Sequence, residues 1–359
     1  MQVRRDEVPV TLLAHAFDAG LARPPRDPRS WAAQSTAEVL TLAERLVARH
    51  AVSLRQEGLL ATAFVALRAQ AEEDLGGANL FPAIHLPLLV HAGVSGDEET
   101  ALPLAAATAL LWRGIDLHDD LADGDDLEDW AGRRPAEIGL AAATLLAAVP
   151  QRIVADLQAP AERLATMQRA LADGLLRVSA GQGDDLALAR TAAPDPEEVE
   201  ASVVSKSGEQ FAIYAELAAI LAGATAPQVV AYAALARAVG VGGQLLSDCH
   251  DLFTAPHSRD LASGARTLPI ALHLNRLDEP ERTSFLDLLD RVGAELTGQR
   301  TVRDQLRAAG ALRRCAFVVE TYRARALRAL DDAGPVEPAR TRLRALIDSA
   351  SFFATGDSQ

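Results

Sequence analysis

From residue 31 to residue 353, apolar side chains recur three to four positions apart, and short clusters of Pro, Gly and Ser interrupt the pattern. No strand-like alternation lasts more than a few residues, and β-branched and aromatic residues are sparse, so the chain reads as all-α. Helical patterns cover 31–75, 82–94, 99–123, 136–158, 161–189, 196–223 and 227–253, and three further helices are predicted between 266 and 353. The stretches 101–117 and 138–149 are apolar almost all round, which predicts helices buried on most sides at the centre of a single large bundle. Residues 1–30 form a Pro- and Arg-rich lead-in, 31–354 one domain and 355–359 a short tail, since no break is long enough for a linker and no internal repeat is present.

The acidic residues change this picture. Residues 112–130, WRGIDLHDDLADGDDLEDW, put seven aspartates and one glutamate directly after an apolar run. Asp119 and Asp123 are i and i+4 on a helix, and Asp120 and Asp123 are i and i+3, so their charges share a face and repel unless a cation lies between them. Gln244, Asp248 and Asp251 repeat the arrangement at the end of another apolar helix. Mg²⁺ suits both faces, because it prefers carboxylate oxygens and bridges to phosphates. Two such faces predict a site for up to three ions. Lys206 is the single lysine among 35 basic residues, which marks a place where a compact ammonium is wanted.

A net charge of −14 argues against a nucleic-acid partner. No uninterrupted apolar segment of bilayer length and no signal peptide is read, and Cys249 and Cys315 are too few and too far apart for a disulfide framework or a zinc site, so a cytoplasmic protein with reduced thiols is expected.

Together these segments resemble the trans-prenyl diphosphate synthases and, more widely, the class I isoprenoid synthases. HDDLAD (118–123) resembles their first aspartate-rich motif and QLLSDCHD (244–251) their second. KSGEQF (206–211) resembles their K-T-x-x-x-F signature, while RRPAE and RDLASGARTLP resemble the segments that follow each aspartate motif. The resemblance implies that Asp119, Asp120 and Asp123 hold two Mg²⁺ ions and Asp248 with Asp251 a third, that Lys206 and Arg133 bind the diphosphate of an allylic prenyl substrate, and that a homodimer is possible.

The departures set the expected reaction. Ser247 stands where the second motif has its first aspartate. At the isopentenyl diphosphate site, Ala78 and Asn79 replace a Lys and an Arg, Trp112 replaces a His or Gln, and Ala265 replaces a Lys, leaving Arg134 and the neighbouring Arg266. The sequence therefore predicts ionisation of an allylic diphosphate followed by terpene synthase chemistry. Trp112 would stabilise a carbocation, and Gly114 with Ile115 would leave room for a long chain. Prenyl transfer to isopentenyl diphosphate or another acceptor is the alternative, and a non-catalytic subunit of a heteromeric synthase is the third reading.

Overall fold

The computed structural model describes residues 28–76, 80–123, 127, 130–189, 191–292 and 295–353. Every regular element among them is helical. Helices α1 (Pro28–His50), α2 (Leu54–Gly76), α3 (Pro82–Ser95) and α4 (Leu102–Asp123) lead to α5 (Pro135–Ala143), α6 (Val149–Ala155) and α7 (Ala161–Leu188). Then follow α8 (Pro196–Val203), α9 (Glu209–Ala222), α10 (Ala226–Phe253) and α11 (Arg259–Ser263). The chain closes with α12 (Leu268–Leu274), α13 (Glu279–Val292), α14 (Leu296–Ala308), α15 (Ala311–Ala333) and α16 (Ala339–Ser349).

The helix starts follow from local chemistry. Thr225 and Gln228 form a capping box on α10, with Gln228 Oε1 accepting from Thr225 N at 3.1 Å, and Asp195 caps α8 by accepting from Glu197 N at 2.8 Å. The long pattern at 31–75 is in fact two helices. They part at 51–53, where Ser53 Oγ accepts from the Gln56 backbone N at 3.2 Å, a Ser-x-x-Gln start that apolar periodicity alone conceals. Five helices rather than three fill 266–353, because Gly310 and Gly334 take φ of 71° and 59° and end helical runs that the apolar pattern carries on.

One core runs through the bundle, with α10 packed on α9 and α15, and α3 on α4 and α9. Residues 83–93 of α3 and 104–111 of α4 are buried without interruption. The expectation of all-round burial fails for 138–149. There Leu140 is 61% exposed and Ala143, Ala147 and Ala148 are also exposed, so that helix keeps an uncovered apolar face.

Pro135–Ala155 and Ala226–Phe253 are long and apolar enough by length and composition to cross a membrane, but Glu137, Pro150 and Arg152 interrupt the first and Arg237, Asp248 and Asp251 the second, in keeping with the sequence expectation of no uninterrupted span. Both contribute buried residues to the bundle core, and the second carries Arg237, paired with Glu209, as a core helix can. Cys249 and Cys315 are brought together by the α10–α15 packing, as free, buried thiols with Sγ atoms 3.1 Å apart.

Candidate active site

The C-terminal ends of α4, α7 and α10 and the junction of α8 with α9 meet at the acidic residues. That junction is a π turn, Val204–Gly208, which breaks the regular helical register at Lys206. It fits because its neighbours have no side chain there. A Cβ on Gly181 of α7 would lie 2.5 Å from Lys206 N, and one on Gly240 of α10 would lie 2.6 Å from Ser207 O.

Lys206 is thereby held over the first aspartate face. Its Nζ lies 2.7 Å from Asp119 Oδ1 and donates to Asp185 Oδ2 at 3.0 Å. Burial works against the ammonium, but Asp119 and Asp185 outweigh it and hold the Lys206 pKa above its ordinary value. Asp185 is a residue that motif reading missed. The signal was available in GQGDDL, since Gly181 and Asp185 are i and i+4 on α7, and a glycine at a close helix crossing places an acid on the same face towards the neighbouring element.

The second face connects to the first through the π turn. Ser207 Oγ donates to Gln244 Oε1 at 3.1 Å, and Gln244 Nε2 donates to Asp248 Oδ1 at 2.8 Å. Asp251 points to the segment after α10. Its Oδ2 accepts from Ser258 Oγ at 2.5 Å and Asp260 N at 3.2 Å, and its Oδ1 accepts from Arg259 N at 3.1 Å. Asp260, also missed in the sequence, joins this group. Burial, with the charges of Asp185 and Asp251, pushes Asp248 up to about 7 against the pull of Gln244 and Lys206. Asp260 is likewise pushed up to about 7 by burial and by Asp248, Asp251 and Asp185.

Arg113 lies under the first face. Its side chain is 5% exposed, pairs with Asp116, and reaches within 3.9 Å of Asp120 Oδ2. Asp116 carries a raised pKa because burial outweighs the Arg113 contact.

Other predicted residues stand apart from this centre. Arg133 and Arg134 sit at the start of α5 and pair with Glu137 at 4.0 and 3.4 Å, with the Arg134 side chain 81% exposed. The Arg266 guanidinium is committed to Gly264 O at 2.7 Å, Ala192 O at 3.3 Å and Asp290 at 3.1 Å. Trp112 packs edge-on against Phe81, ring centroids 5.1 Å apart. Gly114 does not open space for a substrate chain: a Cβ there would lie 2.8 Å from Leu146 N, so it serves close helix packing. Ala78, Asn79 and the Asp123 side chain lie outside the described residues.

The donor set fits a hard divalent cation. It consists of carboxylate oxygens and one amide, and the mutual crowding that raises Asp248 and Asp260 is relieved by positive charge. Among the described residues no three acidic, His or Cys side chains are gathered into a ready cage. For an aspartate whose folded pKa is raised, the stabilising contribution is complete below the unfolded pKa near 4 and is lost as pH rises to about 7. Metal-free protein is therefore expected to melt at progressively lower temperature between about pH 4 and pH 7, and Asp248→Asn should flatten the profile. Calorimetric melts in chelator check this, and an unchanged slope in the variant would remove Asp248 as its source.

This is the fold of the all-α isoprenoid synthases. A polyprenyl synthetase family model matches residues 71–304, and the chain belongs to that family. It is 25% identical over 230 residues to a short chain isoprenyl diphosphate synthase of Methanothermobacter thermautotrophicus, spanning 60% of this chain and 68% of the relative. It is 27% identical over 243 residues to an octaprenyl diphosphate synthase of Haemophilus influenzae, spanning 65% and 70%. Among solved structures, a polyprenyl synthetase from Streptomyces coelicolor A3(2) superposes with a TM-score of 0.76 at 19% identity, over 90% of this chain and 100% of that one. A geranylgeranyl pyrophosphate synthetase from Pyrococcus horikoshii Ot3 gives 0.74 at 20% identity, over 90% and 97%. Both relatives are synthases of prenyl diphosphates, which favours prenyl transfer over the terpene synthase outcome expected from the sequence.

Proposed function

We propose that this protein is a Mg²⁺-dependent prenyltransferase that ionises an allylic prenyl diphosphate, releases diphosphate and passes the prenyl group to an acceptor. The observation that carries the reading is Lys206, a cation 2.7 Å from Asp119 of the first face and joined through Ser207 and Gln244 to Asp248 of the second. Asp119, Asp120 and Asp123 would hold two ions, and Asp248 with Asp251 a third. When bound, the ions supply Lewis-acid charge to the departing diphosphate. Lys206 keeps Asp119 and Asp185 in position and presents its ammonium where negative charge develops, a preorganised donor in a partly water-excluded place. Gln244 fixes one oxygen of Asp248, and Asp251 fixes the segment that opens α11. Arg133 is the second expected diphosphate ligand, and it must leave Glu137 to act.

The acceptor separates two readings. Isopentenyl diphosphate needs several cationic donors. Arg266 is already bound to two carbonyls and Asp290, and Trp112 offers none. That commitment of Arg266 is the observation favouring the second reading, terpene synthase chemistry with no external acceptor. Product analysis by gas chromatography and mass spectrometry decides, using geranyl, farnesyl and geranylgeranyl diphosphate with Mg²⁺, each with and without isopentenyl diphosphate. A longer prenyl diphosphate supports transfer, and a hydrocarbon or alcohol made from the allylic substrate alone supports the terpene synthase. Absence of diphosphate release from any of them would leave the non-catalytic subunit and overturn both. A homodimer is proposed to cover the apolar face around Leu140, and a monomeric mass in solution would refute it.

A further inference from the structure

Asp251 builds a cradle for one arginine. Its carboxylate accepts from Ser258 Oγ, Arg259 N and Asp260 N, so the backbone that starts α11 is fixed to the end of α10. Gln299 of α14 holds the same segment from another side. Its Oε1 accepts from Ser258 N at 2.9 Å and its Nε2 donates to Ser258 O at 3.1 Å, with Ser258 fully buried. Arg259 therefore extends an exposed side chain from a pinned backbone, and its guanidinium makes no hydrogen bond or ion pair with any described residue.

The carboxyls that feel this charge show where it stands. Burial raises the pKa of both Asp116 on α4 and Asp260 on α11, and the charge of Arg259 opposes burial at each. One guanidinium is thus within electrostatic reach of both aspartate faces. The carboxylates around it are not placed to neutralise it. Asp116 is paired with Arg113, and Asp251 spends both oxygens on the α11 segment. Asp260 is the next residue in the helix, and adjacent helical side chains do not face each other.

The cations expected at a diphosphate are, by contrast, engaged. Lys206 is held by Asp119 and Asp185, Arg133 and Arg134 by Glu137, and Arg266 by two carbonyls and Asp290. An exposed arginine on an acidic chain is ordinarily a solubilising charge. Arg259 is set apart by its fixed backbone and by its reach to both faces that a metal-bound anion would bridge.

We propose, on the footing of the metal-dependent chemistry above, that Arg259 is a diphosphate-binding residue of this site, its guanidinium clamping phosphate oxygens while the aspartates hold the metal ions. The planar fork suits two oxygens at once, and unlike Arg133 it has no ion pair to leave.

Isothermal titration calorimetry of the full-length wild type, Arg259→Ala and Arg259→Lys tests this, first with Mg²⁺ alone and then with inorganic pyrophosphate in the presence of Mg²⁺. The alanine variant should bind pyrophosphate about tenfold more weakly or worse, and the lysine variant should recover only part of the loss. Mg²⁺ alone should bind Arg259→Ala as tightly as the wild type or more tightly, because a like charge has been removed from beside its carboxylates. Damage to the fold would weaken both ligands together, so the contrast between them identifies contact with the anion. Wild-type pyrophosphate affinity in Arg259→Ala, or an equal loss for both ligands, would overturn the role of Arg259 and leave the metal-dependent reading standing. A wild type that binds no pyrophosphate in Mg²⁺ would overturn that reading and the role of Arg259 with it.

Discussion

Asp120→Ala is expected to lower turnover of an allylic diphosphate by about three orders of magnitude or more, since a missing metal ligand removes several kcal/mol of charge stabilisation from the transition state. Its effect on the metal-free fold should be small, within roughly 0.5 kcal/mol. Relief from the neighbouring Asp116 and Asp119 charges is offset by the loss of Arg113, 3.9 Å away. Asp119→Ala should be just as inactive but less stable than the wild type, on the order of 1 kcal/mol, because Asp119 is the partner of a largely buried Lys206 that would be left with Asp185 alone. Steady-state kinetics and melts in chelator on both variants separate the roles. Full turnover in either variant would remove the aspartates from the machinery. Identical melting would show that the Lys206–Asp119 contact adds nothing to the fold.

That difference between two adjacent aspartates could not be read from their spacing. The all-α class was legible, because apolar periodicity reports which face of a helix is buried. The breaks were less so: Ser53 and Gln56 mark a helix start, yet apolar residues continue on both sides of 51–53 and mask it. The aspartate faces and Lys206 were legible as residue types whose crowding or singularity asks for a reason. Asp185 lies in no motif and is signalled only by its spacing from Gly181, whose close crossing brings it to the centre, and Asp260 has no sequence signal because it arrives through a segment held by Asp251. Gly114 shows the opposite error. A small residue beside a motif reads as space, but a glycine on a buried helix is as readily filled by the backbone of its neighbour, here at Leu145 and Leu146. The surroundings of Arg266 were hidden for a related reason. Its sequence position says nothing of the two carbonyls and the carboxylate that already use its donors.

Lys206→Ala is expected to cost about 2 to 4 kcal/mol of transition-state stabilisation, roughly 30- to 900-fold in kcat, as for the loss of one preorganised donor to a developing anion. Lys206→Arg should recover only part of this. The ammonium lies 2.7 Å from Asp119 and 3.0 Å from Asp185, and a planar, longer guanidinium cannot occupy that point without moving one carboxylate. Position and charge can then be separated by a change that leaves the lysine in place. In Gly181→Ala the new methyl would lie 2.5 Å from Lys206 N and from Ser205 C, both backbone atoms, so the π turn must shift by several tenths of an ångström. If the placement of Lys206 matters, Gly181→Ala lowers kcat by about tenfold or more with the charge intact and with little change in KM, because misplacement of a catalytic group by a fraction of an ångström is felt mainly in the transition state. If Gly181→Ala and Lys206→Arg both keep wild-type kcat, Lys206 supplies only diffuse positive charge, and the close crossing of α7 with the π turn is there for packing alone.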